Sequence, residues 1–206
     1  MFRTHIDQGV LMTGLIKGED KLLRCGWCGT DPEYVRYHDT EWGRRVTDDI
    51  VVFEKICLEG FQSGLSWITI LRKREAFRRA FKEFDPAAVA RFGEREIKRL
   101  LADPSIVRHR GKIEATINNA RVTLAMQNEQ ESLSNLIWSF APTRKQRAPK
   151  KPADLHASTP ESIALSKELR HRGFKFVGPT TMHAAMQSLG LVNDHLSGCH
   201  IRQACA

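Results

Sequence analysis

The sequence predicts an all-α fold, because apolar side chains recur at helical spacing along most of the 206-residue chain. Helix-start and helix-stop residues bound these periodic segments, and no segment alternates apolar and polar residues as a half-buried strand would. With 41% hydrophobic and 27% charged residues, the composition is that of a globular protein. No apolar run approaches the ~20 residues that cross a bilayer, so we expect no membrane association.

Capping residues mark where several of these helices begin. Asp48 and Asp49 precede one periodic segment, where acidic side chains favour the positive end of the helix dipole. Asp85 followed by Pro86 is typical of an N-cap and a first helical residue. Together these signals predict helices at 50–61, 67–81, 86–92, 94–101, 112–126 and 133–140.

Two more helices follow near the C-terminus. Ser158 and Glu161 have capping-box spacing and predict a helix that ends at Gly173. The last helix is predicted at 180–189 and stops at Gly190, a residue that tolerates the backbone of a helix C-terminus. Since both ends of the chain also carry the metal-binding motifs described below, we expect the two ends to pack together.

The domain organisation is predicted to be simple. Residues 1–22 contain no signal-peptide pattern and are interpreted as a poorly ordered N-terminal extension, which predicts a cytoplasmic, reducing location. Residues 23–206 are predicted to form a single domain, and we expect the protein to be a monomer. Within it, the stretch at about 141–157 is proline-rich and strongly basic without periodicity, so we expect an exposed loop.

Charge and cysteine content narrow the class of protein. The formal net charge of +8 suits a polyanionic partner such as nucleic acid, although a generic basic surface has the same charge. The five cysteines are an odd and scattered set, which excludes an ordinary disulfide framework.

The segment CGWC, from Cys25 to Cys28, fits either a redox dithiol or part of a zinc site. Zinc prefers four cysteine and histidine ligands in a tetrahedron. Cys25 is followed by His38, and near the other end His195 and Cys199 are four residues apart. Two such pairs can form a Cys2His2 site; Cys28 and His200 are competing ligands, and chance spacing in a chain with eight histidines is the alternative.

Four motifs together resemble one known family. They read LRCGWCGTDPEYVRYHDTEWG, CLEGFQSGLSWITILRKRE, IVRHRGKI and RGFKFVGPTTMHAAMQSLGLVNDH, in this order from about residue 23 to residue 199. The chain resembles the 3-methyladenine DNA glycosylase I (Tag) family of the helix-hairpin-helix DNA glycosylase superfamily. The resemblance implies a helix-hairpin-helix glycosylase fold whose N- and C-terminal ends are joined by a structural Zn2+ ion on Cys25, His38, His195 and Cys199.

Four aromatic residues lie within the short window 27–42, and a fifth, Trp67, follows Glu59 by eight residues. For any one of them, a place in the core is the simpler interpretation, and a glutamate is usually solvated. Together they fit a stacking pocket for a flat base, in which a carboxylate favours a cationic base over a neutral one. The resemblance implies that Glu59 contacts the lesion base and that the pocket is lined by Trp27, Tyr34, Tyr37, Trp42 and Trp67.

The resemblance further implies a DNA-repair hydrolase that flips 3-methyladenine out of alkylated double-stranded DNA and cleaves its N-glycosidic bond. We identify no lysine in the pocket motifs that would act as a Schiff-base nucleophile, so we expect a monofunctional enzyme without strand cleavage. A zinc-stabilised DNA-binding module without catalysis, and a dithiol oxidoreductase using Cys25 and Cys28, are the alternatives.

The candidate DNA contacts lie in three segments. Gly178, Thr180 and Thr181 precede or begin a helix whose N-terminus can bind a phosphate, although a plain turn is the simpler interpretation. Next to the pocket motif, the residues predicted to probe the gap left by a flipped base are Gln62, Gly64 and Leu65. Further candidate phosphate contacts are Arg108, His109, Arg110 and Lys112. Asp194, beside His195, is interpreted as a group that orients an imidazole.

Overall fold

The protein is described by a computed structural model that covers residues 14–144 and 146–205. The described residues form nine α-helices and one antiparallel two-stranded sheet, which confirms the predicted helical fold class. The helices are α1 (Pro32–Thr40), α2 (Asp49–Gln62), α3 (Trp67–Ala80), α4 (Pro86–Val89), α5 (Glu94–Ala102), α6 (Arg110–Asn128), α7 (Leu133–Trp138), α8 (Pro160–His171) and α9 (Pro179–Ser188); the strands are β1 (Leu15–Lys17) and β2 (Leu23–Cys25). Among the described helices, none has both the length and the apolar character that spanning a bilayer requires.

Helix α2 lies at the centre of the fold, packed by α3, α6, α7 and α9. Its first turn is capped by Asp48, whose carboxylate accepts hydrogen bonds from the backbone N–H groups of Ile50 and Val51 at 3.0 Å. Every residue from 52 to 61 is buried, including the charged ones. A polar side chain on this helix must therefore find its partners inside the protein or in a cavity.

Helices α8 and α9 and the turn between them form a helix-hairpin-helix unit. Gly173, with φ +97°, ends α8 as predicted. The turn is fixed from inside, because Asn119 on α6 donates to the carbonyl of Lys175 at 2.9 Å and accepts from its N–H at 2.8 Å. The hydroxyl of Ser166 donates to the carbonyl of Val177 at 2.6 Å. These bonds leave the hairpin little freedom to change shape when it meets a partner.

The start of α8 differs from the prediction by one residue. The N-cap is Thr159 rather than Ser158, and the reciprocal bonds of the capping box join Thr159 to Ser162 rather than reaching Glu161. The cause is Pro160, because a proline forces the preceding residue out of the helical region into the extended conformation that an N-cap needs. The same rule begins α9 at Pro179 instead of Thr180.

Two elements were not predicted. Helix α1 has Asp31 as its N-cap and Pro32 as its first residue, the same pair of residue types that begins α4 at Asp85. It was not predicted because its closely spaced aromatic residues obscure the helical spacing of apolar side chains. In the β-hairpin, Leu15 pairs with Cys25 across strands too short to show alternation. The hairpin uses part of the segment 1–22, predicted to be poorly ordered; residues 1–13 of that segment lie outside the described residues.

The C-terminus of α9 is docked against the chain that follows α1. The N–H of Val46 donates to the carbonyl of Leu189 at 3.1 Å. At Gly190 the backbone has φ +83°, and an added Cβ atom would lie 2.7 Å from the carbonyl carbon of Arg44. Only glycine allows this approach, which brings the C-terminal segment beside the segment that follows α1.

Replacing Gly190 with alanine therefore tests this docking, with Gly64 as the matched control. Gly64 has nearly the same φ, +82°, but open space where a Cβ would be. We expect Gly190→Ala to lower the free energy of unfolding by about 2–4 kcal/mol, and Gly64→Ala by about 1 kcal/mol, because only the first adds a clash to the backbone strain. Denaturant unfolding measures both, and equal losses would contradict the close approach.

Candidate active site and metal centre

A cavity of about 220 Å³ opens beside the buried face of α2. Its aromatic wall comes from α1 and the segments around it and from the first residue of α3, while its floor includes polar residues of α2 and α9. The residues that line it are Trp27, Tyr34, Tyr37, Trp42, Glu59, Gln62, Trp67, Leu155, Ala184 and Gln187. The structure thus brings the predicted aromatic residues, Glu59 and Gln62 together in one place.

The aromatic side chains pack against one another at an angle. The ring centroid of Trp27 lies 5.1 Å from that of Tyr34 and 5.0 Å from that of Trp42, and Tyr37 lies 5.5 Å from Trp67. Such tilted contacts hold the rings rigidly without closing the cavity. Trp67 lines the cavity, and its indole N–H is buried without a hydrogen-bond partner among the described residues, which makes it a candidate donor to a ligand.

Glu59 supplies the only carboxylate among the residues that line this cavity in the described chain. Glu59 is 5% exposed, and no described residue donates a hydrogen bond to its carboxylate. Burial raises the pKa of the Glu59 carboxyl to about 7, and the positive charge of Lys55 opposes that rise. The site therefore holds a weakly solvated carboxyl group whose pKa lies near neutral pH. A cationic ligand would stabilise its ionised form.

Lys55 is a residue of the site that sequence reasoning missed. It lies one helical turn before Glu59 and is 6% exposed. Its ammonium is 3.4 Å from the hydroxyl of Tyr37 and lies over the rings of Tyr37 and Trp67, 4.7 and 5.5 Å from their centroids. Burial lowers the pKa of Lys55 to about 8. The sequence signal was a lysine four residues before a glutamate in a largely apolar helix.

Three other lining residues were also missed. Leu155 belongs to the basic stretch 141–157, most of which is exposed, but its apolar side chain reaches the cavity. Ala184 and Gln187 lie three residues apart on α9 and face the cavity together. Helical spacing was the available signal for this pair, and a lone leucine in a basic loop was the signal for Leu155.

The four predicted metal ligands converge in the interior. All of them are buried, and one ligand atom from each lies within 4.8 Å of the others. The sulfur of Cys199 is 3.5 Å from Nε2 of His38 and from Nδ1 of His195, and the sulfur of Cys25 is 3.7 Å from the same His195 nitrogen. A tetrahedral zinc ion with ordinary bond lengths separates its sulfur and nitrogen ligands by about 3.5 Å. The four residues therefore fit a metal ion of this kind.

The outer nitrogens of both imidazoles have hydrogen-bond acceptors. His38 Nδ1 lies 2.7 Å from the carboxylate of Asp39, and His195 Nε2 lies 3.2 Å from the carbonyl of Trp42. A proton on each of these nitrogens leaves the other nitrogen with a lone pair directed at the sulfurs. This is the arrangement that orients metal-binding histidines in proteins.

The competing ligands lie outside this group. The thiol of Cys28 is directed to the carbonyl of Cys25 at 3.1 Å, and burial raises the pKa of this thiol to about 12. His200 contacts Asp39 through Nε2 at 3.2 Å instead of joining the four ligands. The CGWC segment thus combines one candidate ligand with one protonated thiol that has a different partner.

Asp194 does not orient a metal-binding imidazole. Its carboxylate accepts a hydrogen bond from Gln187 at 2.7 Å and lies 3.4 Å from the ring of His183. The imidazole that Asp194 faces is therefore that of His183 and not that of its neighbour in the chain, His195. Through Gln187, the aspartate instead supports the wall of the aromatic cavity.

The candidate DNA contacts are divided between two surfaces. After α2, the chain turns at Gly64, and Leu65 is 43% exposed at this turn. Lys112, predicted as a phosphate contact, is instead buried, and its ammonium donates to the carbonyls of Phe61 and Ser63 at 2.8 and 2.6 Å, which fixes the turn. Gly178 is the N-cap of α9, and no side chain caps that helix; Thr180 and Thr181 follow in its first turn.

Comparison with known proteins places these features in a family. A family model described as methyladenine glycosylase matches residues 27–203. The chain is 50% identical over 177 residues to DNA-3-methyladenine glycosylase 1 of Escherichia coli, an alignment that covers 85% of this chain and 95% of the relative.

Solved structures agree with this match. A crystal structure of 3-methyladenine DNA glycosylase I superposes with a TM-score of 0.84 at 50% identity, over 86% of this chain and 98% of that chain. A single-residue variant of 3-methyladenine DNA glycosylase I, solved in complex with 3-methyladenine, has a TM-score of 0.81 at 36% identity and covers 87% and 97%. The chain described here therefore belongs to the methyladenine glycosylase family.

Proposed function

We propose that this protein is a DNA-3-methyladenine glycosylase, a base-excision repair enzyme that hydrolyses the N-glycosidic bond of 3-methyladenine in alkylated double-stranded DNA. The observation that carries the proposal is the buried carboxylate of Glu59 inside an aromatic cavity. Family membership supports the reaction, and the cavity supports the assignment of residues to it.

The chemistry of the lesion matches the cavity. 3-Methyladenine in DNA is a cation, so its glycosidic bond breaks with the electron pair moving to the base, which leaves neutral, while water adds to the sugar carbon and releases a proton to solvent. A base that leaves the duplex gains about 1–3 kcal/mol per stacking contact with an aromatic ring. A cation over an aromatic face adds about 0.5–2 kcal/mol. We assign stacking to Trp27, Tyr34, Tyr37, Trp42 and Trp67, and recognition of the charge to Glu59.

A monofunctional mechanism fits the composition of the cavity wall. Strand cleavage by a bifunctional glycosylase needs an amine that attacks the sugar and forms a Schiff base. No lysine is among the lining residues in the described part of the chain. Lys55 lies near the cavity, but its ammonium lies over the ring of Tyr37, 4.7 Å from the ring centroid, and Lys55 is not among the lining residues in the described part of the chain. Water is therefore the nucleophile in the proposed reaction.

Two surfaces are proposed to hold DNA. The N-terminus of α9 leaves its first N–H groups without a side-chain cap, which supports phosphate binding by Gly178, Thr180 and Thr181. Gln62, Gly64 and Leu65 are proposed to occupy the gap that a flipped base leaves. The net charge of +8 favours both contacts with the DNA backbone.

We assign a structural zinc ion to Cys25, His38, His195 and Cys199. Two thiolates and two imidazoles complete a tetrahedron and leave no position for water, so the ion would supply stability and no reaction step. The bacterial relative supports a cytoplasmic location, where bacterial DNA lies.

The alternatives lack comparable support. A dithiol oxidoreductase needs a reactive thiolate, whereas the Cys28 thiol is buried, hydrogen-bonded to a carbonyl and raised in pKa. A DNA-binding module without catalysis has no use for a buried carboxylate in a cavity of this size, because Glu59 would then only cost stability.

Replacing Glu59 with glutamine tests the central assignment. The variant keeps the shape of the side chain but loses its charge, so we expect release of 3-methyladenine to slow by about 10- to 100-fold, the range of one charge-assisted interaction. Chromatography of free base from methylated duplex DNA measures the rate, and duplex binding should persist. The control is Glu75→Gln on the exposed surface of α3. Unchanged release would remove Glu59 from its role.

The proposed gap-filling role of Leu65 has its own test. Leu65→Ala should slow excision from a fully paired duplex by roughly tenfold, since the lost apolar contact contributes about 1–2 kcal/mol. The loss should shrink when the lesion is in single-stranded DNA, where no gap forms. Leu22→Ala is the control, because Leu22 is exposed to a similar extent, 41% against 43%. An equal loss on both substrates would contradict gap filling.

The metal assignment predicts different outcomes for two buried cysteines. Cys199→Ser should lose its zinc and several kcal/mol of stability together, because metal binding and folding are coupled. Cys28→Ser should retain one zinc ion per chain, because its thiol is bonded to a carbonyl that a hydroxyl can also reach. Elemental analysis and thermal unfolding measure both effects. Zinc retained in Cys199→Ser, or lost in Cys28→Ser, would refute the ligand set.

A further inference from the structure

Lys55 is a buried cation for which the proposed reaction provides no role. Its side chain is enclosed by the central helix α2, the aromatic residues of α1 and the start of α3. A buried ammonium is costly unless it is paired and hydrogen-bonded. Its partners therefore indicate what its charge does.

Two of the three carboxylates near Lys55, those of Glu41 and Glu54, are already paired with arginines. Arg74 on α3 binds Glu41 through two guanidinium nitrogens, and Arg78 binds Glu54 at 3.0 Å. Among the described residues around Lys55, Glu59 is then the buried carboxylate without an ion pair of its own. The charged and titratable groups that face Lys55 are Glu54 and Glu59 from α2, Tyr37 and Glu41 from α1 and its C-terminus, and Arg74 from α3.

The contact with Tyr37 also has a fixed direction. An ammonium can only donate, so the oxygen of Tyr37 accepts from Lys55 at 3.4 Å. The hydroxyl proton of Tyr37 is then available to donate to another acceptor. Because Tyr37 lines the cavity, a base nitrogen placed there is such an acceptor.

We propose that Lys55 is a positioning residue of the base pocket, whose positive charge keeps Glu59 ionised and whose hydrogen bond turns the hydroxyl proton of Tyr37 toward the base. The inference rests on the proposed function for the identity of that base. Lys55 itself touches no reacting atom.

The proposal fixes the direction of a pH effect. Burial raises the pKa of Glu59 to about 7, and the charge of Lys55 lowers it. Release of base that needs the ionised carboxylate rises with pH through this value. Removing the charge of Lys55 raises the pKa of Glu59 further, so the same rise must occur at higher pH.

The experiment measures single-turnover release of 3-methyladenine from pH 6 to 9 by wild-type protein and Lys55→Met. In the plot of release rate against pH, the rise should occur at least about one pH unit higher in the variant than in wild type. Release by the variant should be about tenfold slower near pH 6.5 and within about threefold of wild type near pH 9. Lys98→Met, which removes an exposed charge on α5, is the control and should keep the wild-type profile. A folded Lys55→Met protein with an unmoved rise would overturn the proposal, and a lower thermal stability alone would indicate a merely structural lysine.

A second variant and a second measurement keep the test independent of activity. Lys55→Gln, used if the methionine variant does not fold, keeps a donor for Tyr37 without the charge, so its rise should move in the same way. The carboxyl carbon of Glu59, assigned by comparison with Glu59→Gln, is titrated by NMR in the DNA-free proteins. A raised Glu59 pKa in the lysine variants supports the proposal even if wild-type protein releases no base, and an unchanged pKa overturns it.

Discussion

The burial of one carboxylate on the central helix is the constraint around which the site is organised. Glu59 lies among apolar residues of α2 because that helix is covered by others along most of its length. A buried carboxylate destabilises the protein unless a positive charge compensates it. Lys55 supplies part of that compensation from the same helix, and the open cavity leaves the rest to a ligand. The fold thus holds a site whose electrostatics are completed by a cation.

The candidate metal centre and the aromatic wall share their supporting elements. Helix α1 carries the ligand His38 directly beside Tyr37. The ring of Trp27 lies 5.2 Å from that of His38, and the ring of Trp42 lies 4.6 Å from that of His195. Ligands from β2, α1 and the C-terminal segment therefore fix the position of three aromatic side chains at once. An ion in this place would stiffen the pocket without entering it.

Sequence reasoning found what local rules determine and missed what only packing determines. Asp48 and Asp85 identified helix starts because capping is local, and the motifs around Cys25 and Glu59 gathered the candidate site. The cap of α8 was misplaced by one residue because the effect of Pro160 on its neighbour was overlooked. Lys55 and Gln187 were missed because an ordinary lysine or glutamine is solvated, and only the surrounding helices show that these are not.

Selectivity in this site follows from distance as much as from charge. With Lys55 and Glu59 both ionised, the interior is neutral overall, so net charge alone would not attract a cationic base. Glu59 lines the cavity, whereas Lys55 is not among the lining residues in the described part of the chain, and its ammonium lies over the rings of Tyr37 and Trp67. In the proposed reaction, a base in the cavity would therefore contact the carboxylate of Glu59 and not the ammonium of Lys55. Undamaged adenine would gain the same stacking but no ion pair, and that difference is what a scanning repair enzyme has to exploit.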